Sequence, residues 1–184
     1  HLKAPKVEFI DGVGINADVI EKTSNDRDEI HEMLGIPKDQ LIMISVGEVN
    51  QNKNHKVAIE ALSLCKTKNI HYIIAGVGNH VDEHLAFAHL CNVEDRVHFL
   101  GFRKDVYKIL KASDIFVFPS YREGLSVALT EAMACGLPVV AARIRGNIDL
   151  IDEELGGFLC KPTDAKGIAM HIDTLAENPE LRHK

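Results

Sequence analysis

Two glutamates eight positions apart, Glu123 and Glu131, bracket the segment Glu123-Gly124-Leu125-Ser126-Val127-Ala128-Leu129-Thr130-Glu131. The run before it, Ile115–Phe118, is short and apolar as a buried strand is, and Val127 to Ala134 has helical spacing. One carboxylate therefore sits at a strand's end and the other rides on a helix. Ligands of open parallel sheets collect beyond the carboxyl ends of strands, and the free N–H groups of a helix N-terminus attract anions. From Ser126 to Glu131 a helix rises about 7.5 Å. An anion at the helix start leaves Glu131 beside a group well displaced from it. A ribose diol fits, because a carboxylate accepts from two neighbouring hydroxyls. Lys53, just before another helix start, can meet a phosphate as a point charge. Lysine and helix start together suit a diphosphate.

These residues need a scaffold, and the chain reads as strands and helices taking turns. Leu41–Val46, His71–Ala75, Val97–Leu100, Ile115–Phe118, Val139–Ala142 and Gly157–Cys160 are too short for helices and read as buried strands. Ala58, Ile59, Leu62 and Cys65 share a helical face behind a cap at Asn54, and Val81, Leu85, Ala88 and Cys91 repeat the spacing. Val106, Ile109 and Leu110 mark a shorter helix. Val127 to Ala134 is stopped by Gly136 and Pro138, and Ile168 to Leu175 closes the chain. Val7–Ile10 reads as an extra strand, and Asp28–Leu34 as a helix ended by Gly35 and Pro37. Alternation of this kind requires an α/β, doubly wound, Rossmann-like parallel sheet of six strands with right-handed crossovers. The common order 3-2-1-4-5-6 puts the switch between the first and fourth strands. The loop Gly47–Asn54 and the loop Pro119–Gly124 then open into one crevice, with Lys53 and Glu123 facing the same ligand.

Composition narrows the classes. The chain has 184 residues, 46% of them apolar, enough for one domain with a substantial core. A formal net charge of -6 without a basic run leaves no footprint for nucleic acid or anionic lipid. Cys65, Cys91, Cys135 and Cys160 are scattered through apolar stretches, and read as reduced core residues of a cytosolic protein. No apolar run approaches a membrane span, and no secretory signal is present. The start at His1, without Met, points to a piece of a longer protein.

Taken singly, Glu123, Glu131, Lys53 and Arg103 would be ordinary solvated charges. Gly76-Val77-Gly78 reads as a tight turn, since Val81 stands where a dinucleotide fingerprint needs Gly or Ala. His80, His84 and His89 lie along one predicted helix without a metalloprotease's acidic motif and read as solvated, so no metal site is expected.

At these residues the chain resembles the donor-binding, C-terminal half of retaining glycosyltransferases of the GT-B fold, in the large family four of nucleotide-sugar-dependent enzymes. Lys6–Val13 is similar to that family's lead into the second domain, and Val46-Gly47 with Lys53 to its first phosphate loop. Phe99–Val106 resembles the nucleobase-side segment, Ala112–Ser120 the fourth strand, and Glu123 to Pro138 the paired-glutamate signature. The resemblance implies one donor-binding domain over residues 1–184, with residues 1–40 as a lead-in segment and first helix, and an N-terminal acceptor domain outside this chain.

It implies that Lys53 meets the donor phosphate, that Glu123 contacts hydroxyls of the donor sugar, and that Glu131 binds the nucleotide ribose. The backbone at Gly124, Leu125, Ser126 and Val127 would lie near the diphosphate and sugar, and Arg103 near the base. One departure stands out: Glu48 occupies a position where the family often has arginine. Glu48 then either holds Lys53, or Arg143 or Arg145 substitutes. The implied reaction moves a sugar, with retention, from a nucleotide diphosphate sugar to a saccharide or lipid-linked acceptor. Uridine diphosphate is the favoured carrier, and the setting is bacterial polysaccharide assembly in the cytoplasm, with peripheral association of the full-length enzyme at the inner face of the plasma membrane. Neither cofactor nor metal is expected. The chain alone would bind nucleotide weakly and transfer little or no sugar. A non-catalytic nucleotide-sugar binding module is the alternative, and an epimerase is disfavoured by the paired glutamates.

Overall fold

The computed structural model describes residues 14–153 and 157–182. The strand expected at Val7–Ile10 lies outside them. Two helices, α1 (Ala17–Lys22) and α2 (Arg27–Leu34), precede the first strand. There follow β1 (Leu41–Val46), α3 (His55–Leu64), β2 (Ile70–Ala75), α4 (Val81–Leu90), β3 (Val97–Gly101), α5 (Val106–Ala112), β4 (Ile115–Phe118) and α6 (Val127–Ala134). The chain continues through β5 (Val139–Ala142), α7 (Arg145–Ile148), β6 (Gly157–Cys160), α8 (Ala165–Glu177) and α9 (Pro179–Arg182). The six strands form one sheet in the order β3-β2-β1-β4-β5-β6, every named pairing parallel, as the doubly wound reading requires.

Alternate strand residues feed two cores. Met43, Tyr72, Ile74 and Val117 point to the side covered by α3, α4 and α8, where Leu62 and Ile172 pack on them. Ile42, Ile44, Ile73 and Phe116 point to the side covered by α2, α5 and α6, where Ile109 and Leu129 pack. Strands buried on both faces read as unbroken apolar runs, which is why six short runs mark six strands. At the end of the sheet away from the strands' carboxyl ends, α6 stops at Gly136, whose φ of 81° suits glycine, before Pro138 leads into β5.

Four local expectations are corrected. Asn54 stands at the start of α3 with a left-handed φ of 55° and makes no capping bond with its side chain. On α4 the buried residues are His84 and Ala88, while Leu85 is 41% exposed. His84 is therefore not solvated: its ring lies 6.1 Å from that of His55 and 6.5 Å from that of Phe99. A count of apolar residues alone skips a neutral imidazole, which packs as an aromatic would. All four cysteines are free, Cys65 and Cys160 buried as expected but Cys91 and Cys135 only half-buried.

Buried histidines extend through the sheet. His55 Nδ1 lies 3.1 Å from the Tyr72 hydroxyl, which lies 2.8 Å from Ser45 Oγ, and Ser45 donates to the Val117 carbonyl at 2.5 Å. A neutral His55 protonated on Nδ1 satisfies all three. His71 Nδ1 meets His98 Nε2 at 2.9 Å. Burial first, then the neighbouring histidine, holds His55 down to about 3 and His71 to about 4. An unfolded histidine takes its proton near 6.5. The stability due to these neutral rings is therefore complete above that pH and drains as pH falls toward 4, where the unfolded chain binds protons the native one refuses. Each such proton accounts for up to about 1.4 kcal/mol per pH unit. Thermal midpoints measured from pH 7 to pH 4 will fall steeply below about 6.5, and His71→Gln will flatten the slope. A midpoint that holds level to pH 4 would contradict the buried, neutral assignment.

Candidate functional site

The loops after β1 and β4 do open into one crevice, and backbone bonds brace them. Gly47 N–H donates to the Ala75 carbonyl at 3.0 Å and Val49 N–H to that of Val77 at 2.9 Å, so the turn after β2 props the β1 loop from outside. Tyr121 N–H donates to the Asn52 carbonyl at 2.9 Å, and Asn52 Nδ2 returns a bond to the Arg122 carbonyl at 2.9 Å. Asn54 Nδ2 donates to the carbonyls of Pro119 at 3.1 Å and Pro162 at 2.7 Å, tying the loops after β1, β4 and β6 together. An open hollow of 470 Å³ lies among the loops after β1, β2 and β4, with Glu48, Asn52, Asn79, Tyr121 and Arg122 among its walls.

Inside the crevice Lys53 Nζ meets Glu123 Oε1 at 2.8 Å, across 70 residues of sequence. The same ammonium lies 5.1 Å from the centre of the Phe118 ring. With side chains 19% and 15% exposed, this pair is far drier than a surface ion pair, whose net contribution is about 0–1 kcal/mol. Lys53 is thus neither an ordinary surface lysine nor a partner of Glu48. Glu48 is exposed, and among the described residues no cation pairs with its carboxylate.

Glu131 faces out from the flank of α6, half-buried, and its Oε1 accepts from the Tyr107 hydroxyl at 2.7 Å. That bond, helped by burial and by the glutamate's charge, pushes the Tyr107 hydroxyl up to about 12, so the phenol keeps its proton. Oε2 of the same carboxylate is left to accept from something else. Between the two acids, Ser126 caps α6: its hydroxyl accepts from Leu129 N–H at 3.4 Å. The amides of Leu125, Val127 and Ala128 find no carbonyl among the described residues. Gly124, Leu125 and Val127 are exposed beside them. A row of unpaired N–H groups at a helix start is an anion site.

Arg103 is engaged within its own segment. Its Nε and Nη2 hold the two oxygens of Asp105 at 2.8 and 2.6 Å, at the head of α5. Arg143 is likewise committed, to Glu153 at 2.6 Å. Sequence alone does not single out Tyr107, and it marks Asn54 only as a helix cap. A polar residue whose partner lies on another element leaves no local pattern. Among the described residues no group of His, Cys, Asp and Glu could hold a metal ion.

The geometry has counterparts. The family model described as glycosyl transferases group 1 matches residues 26–184. The N,N'-diacetylbacillosaminyl-diphospho-undecaprenol alpha-1,3-N-acetylgalactosaminyltransferase of Campylobacter jejuni is 31% identical over 98% of this chain and 48% of its own. The UDP-Gal:alpha-D-GlcNAc-diphosphoundecaprenol alpha-1,3-galactosyltransferase of Escherichia coli is 31% identical over 82% of this chain and 40% of its own. HepE of Anabaena, solved with UDP and glucose, superposes with a TM-score of 0.86 at 28% identity, over 92% of this chain and 47% of its own. The C-terminal domain of LpcC from Francisella tularensis, at 24% identity, shares the fold, with a TM-score of 0.79 over 93% of this chain and 92% of its own. The chain spans about half the length of the curated relatives it matches.

Proposed function

This chain belongs to the glycosyl transferases group 1 family, and on that premise we propose that it is the donor-binding domain of a retaining glycosyltransferase that uses a uridine diphosphate sugar. The observation that carries the reading is the crevice itself: Lys53 on Glu123, free amides at the head of α6, and Glu131 further along the same helix. The diphosphate lies on the amides and Lys53, the ribose diol on Glu131, and the sugar hydroxyls on Glu123. HepE, bound to UDP and to UDP-glucose, supports uridine as the base, and the Campylobacter and Escherichia relatives support a lipid-linked diphosphate acceptor.

The chemistry follows from charge. When the bond between the anomeric carbon and the diphosphate oxygen breaks, the electron pair leaves with the phosphate and positive charge grows on the sugar. Lys53 and the α6 amides stabilise the leaving anion. As Lys53 turns toward phosphate, Glu123 is freed to accept from sugar hydroxyls, so one exchange arms the clamp and orients the sugar. The reading requires no group besides the donor. No helix among the described residues is long and apolar enough to cross a membrane. Work at the inner face of the plasma membrane is part of the proposal, supported by the lipid-linked acceptors in the relatives' names. The acceptor is held by a further domain, and sugar transfer by these 184 residues alone would refute that. The unpaired Glu48 favours a second reading, a nucleotide-sugar binding module without chemistry. Product analysis of the full-length protein with a nucleotide sugar separates the two.

A thermal-shift panel of uridine, guanosine and adenosine diphosphates and their sugars tests the donor site. Uridine compounds will raise the midpoint most, and Glu131→Ala will lose most of that rise. Tyr107→Phe, which unties Glu131, will weaken UDP binding several-fold, roughly 1 kcal/mol, and have no further effect once Glu131 is alanine. Equal shifts in wild type and Glu131→Ala would sink the ribose contact.

A further inference from the structure

The charges around the crevice do not balance for an anion. The β1 loop carries Glu48 and Lys53, the β4 loop carries Arg122 and Glu123, and Lys53 is bonded to Glu123. These four cancel, leaving no net positive charge where the proposed ligand brings a diphosphate. The head of α6 offers only about half an elementary charge. A second cation beside Lys53 is needed, and three arginines lie in the loops after β4 and β5. Arg143 is engaged by Glu153 and by the Leu159 carbonyl. Arg122, exposed on the β4 loop itself, lines the hollow together with Glu48, whose opposite charge offsets it. Arg145 opens α7, is exposed, and has no hydrogen bond or ion pair to its guanidinium among the described residues.

Sheet order gives Arg145 an approach that the β1 and β4 loops do not supply. β5 flanks β4 on the side opposite β1, so the loop after β5 borders the Glu123–Ser126 turn from the side that Lys53 does not reach. The approach is close: a Cβ on Gly146 would stand 2.2 Å from the Gly124 carbonyl oxygen and 2.8 Å from that of Glu123. The backbone of α7 thus rests on the backbone of the turn leading into α6, and Arg145 is the residue next to that contact. Asn147, fully buried, donates from Nδ2 to the Ala142 carbonyl at 2.8 Å and holds α7 in this position.

We infer that Arg145 is the second cationic ligand of the donor diphosphate, closing on it from the β5 side while Lys53 holds it from the β1 side. The inference rests on the donor-site reading above. A guanidinium presents two parallel N–H groups to phosphate oxygens, which a lysine cannot, and stays solvated until the anion arrives. It also removes the difficulty of Glu48: the clamp's second arm lies on another loop.

Calorimetric titration with UDP and with UMP tests this on wild type, Arg145→Gln, Arg145→Lys and Arg122→Gln. Arg145→Gln will weaken UDP binding roughly tenfold and UMP binding less, and Arg145→Lys will recover part of the loss. The melting point without ligand will not move, because the Arg145 guanidinium has no partner among the described residues. UDP affinity within twofold of wild type, equal losses for UDP and UMP, or the loss appearing on Arg122→Gln instead would each overturn the assignment. Wild type that binds neither nucleotide would strike down the donor-site reading, and this inference with it.

Discussion

Lys53→Ala will weaken UDP binding roughly 100-fold, about 2.7 kcal/mol, whereas Glu123→Gln will tighten it several-fold. The opposite signs follow from the 2.8 Å bond that joins the two residues in the empty crevice. Removing the lysine takes away the cation and leaves Glu123, only 15% exposed, as a bare negative charge facing the incoming phosphate. Truncating one member of a shielded, hydrogen-bonded charge pair typically costs 2–5 kcal/mol, and the lower part of that range applies to a crevice open to solvent. Neutralising Glu123 releases Lys53 from its competitor and lets it turn to phosphate at no loss. The sugar tells the other half. In wild type the UDP-sugar will bind more tightly than UDP, and in Glu123→Gln that difference will shrink, because an amide accepts fewer bonds from sugar hydroxyls than a carboxylate does. Titration of both ligands into both variants reads all four values. Weaker UDP binding in Glu123→Gln would show that the acid supports the anion site rather than competing for its lysine.

Gly76→Ala will lower stability by about 3 kcal/mol, a drop in melting temperature of roughly 6–12 °C for a domain of this size. A Cβ at this position would stand 1.8 Å from the Gly47 carbonyl oxygen and 2.7 Å from its carbon. Both are backbone atoms of the β1 loop, which is itself bonded to Ala75 and Val77, so neither can turn aside as a side chain would. The loop has to move outward, and Lys53 moves with it. UDP affinity will therefore fall together with stability. Gly124→Ala is the control, since a Cβ there meets nothing within 4 Å. It will leave the melting temperature within about 1 °C, in the range of surface substitutions. A Gly76→Ala protein with wild-type melting would mean that the β2 turn does not brace the phosphate loop.

Much of this architecture is legible in the chain because burial on both faces makes parallel strands conspicuous. Leu41–Val46, Ile115–Phe118, Val139–Ala142 and Gly157–Cys160 end where their apolar runs end. Strand order alone then puts Lys53 and Glu123 at one crevice, where they meet. What escapes a linear reading is held across elements. Tyr107 and Glu131 belong to different helices 24 positions apart, and only packing of α5 beside α6 brings the phenol to the carboxylate. Asn54 looks like a helix cap, yet the left-handed turn at its own backbone swings its amide to Pro119 and Pro162. The Arg145–Ile148 helix is too short to show a period, and its glycine matters for a contact with another loop rather than for its own conformation. His84 escapes the apolar pattern because a buried imidazole is polar in composition and aromatic in packing.

The central claim is that one ligand spans the crevice, with diphosphate between Lys53 and the head of α6, ribose at Glu131 and sugar at Glu123. A crystal structure of the chain with a UDP-sugar tests it most directly. Phosphate oxygens will lie within hydrogen-bonding distance of Lys53 Nζ and the amides of Leu125 and Val127. The ribose diol will sit on Glu131 Oε2, with Tyr107 still on Oε1, and the Lys53–Glu123 bond will open in favour of phosphate and sugar. A nucleotide bound elsewhere on the sheet, or bound here with Glu131 turned away and Lys53 still on Glu123, would contradict it.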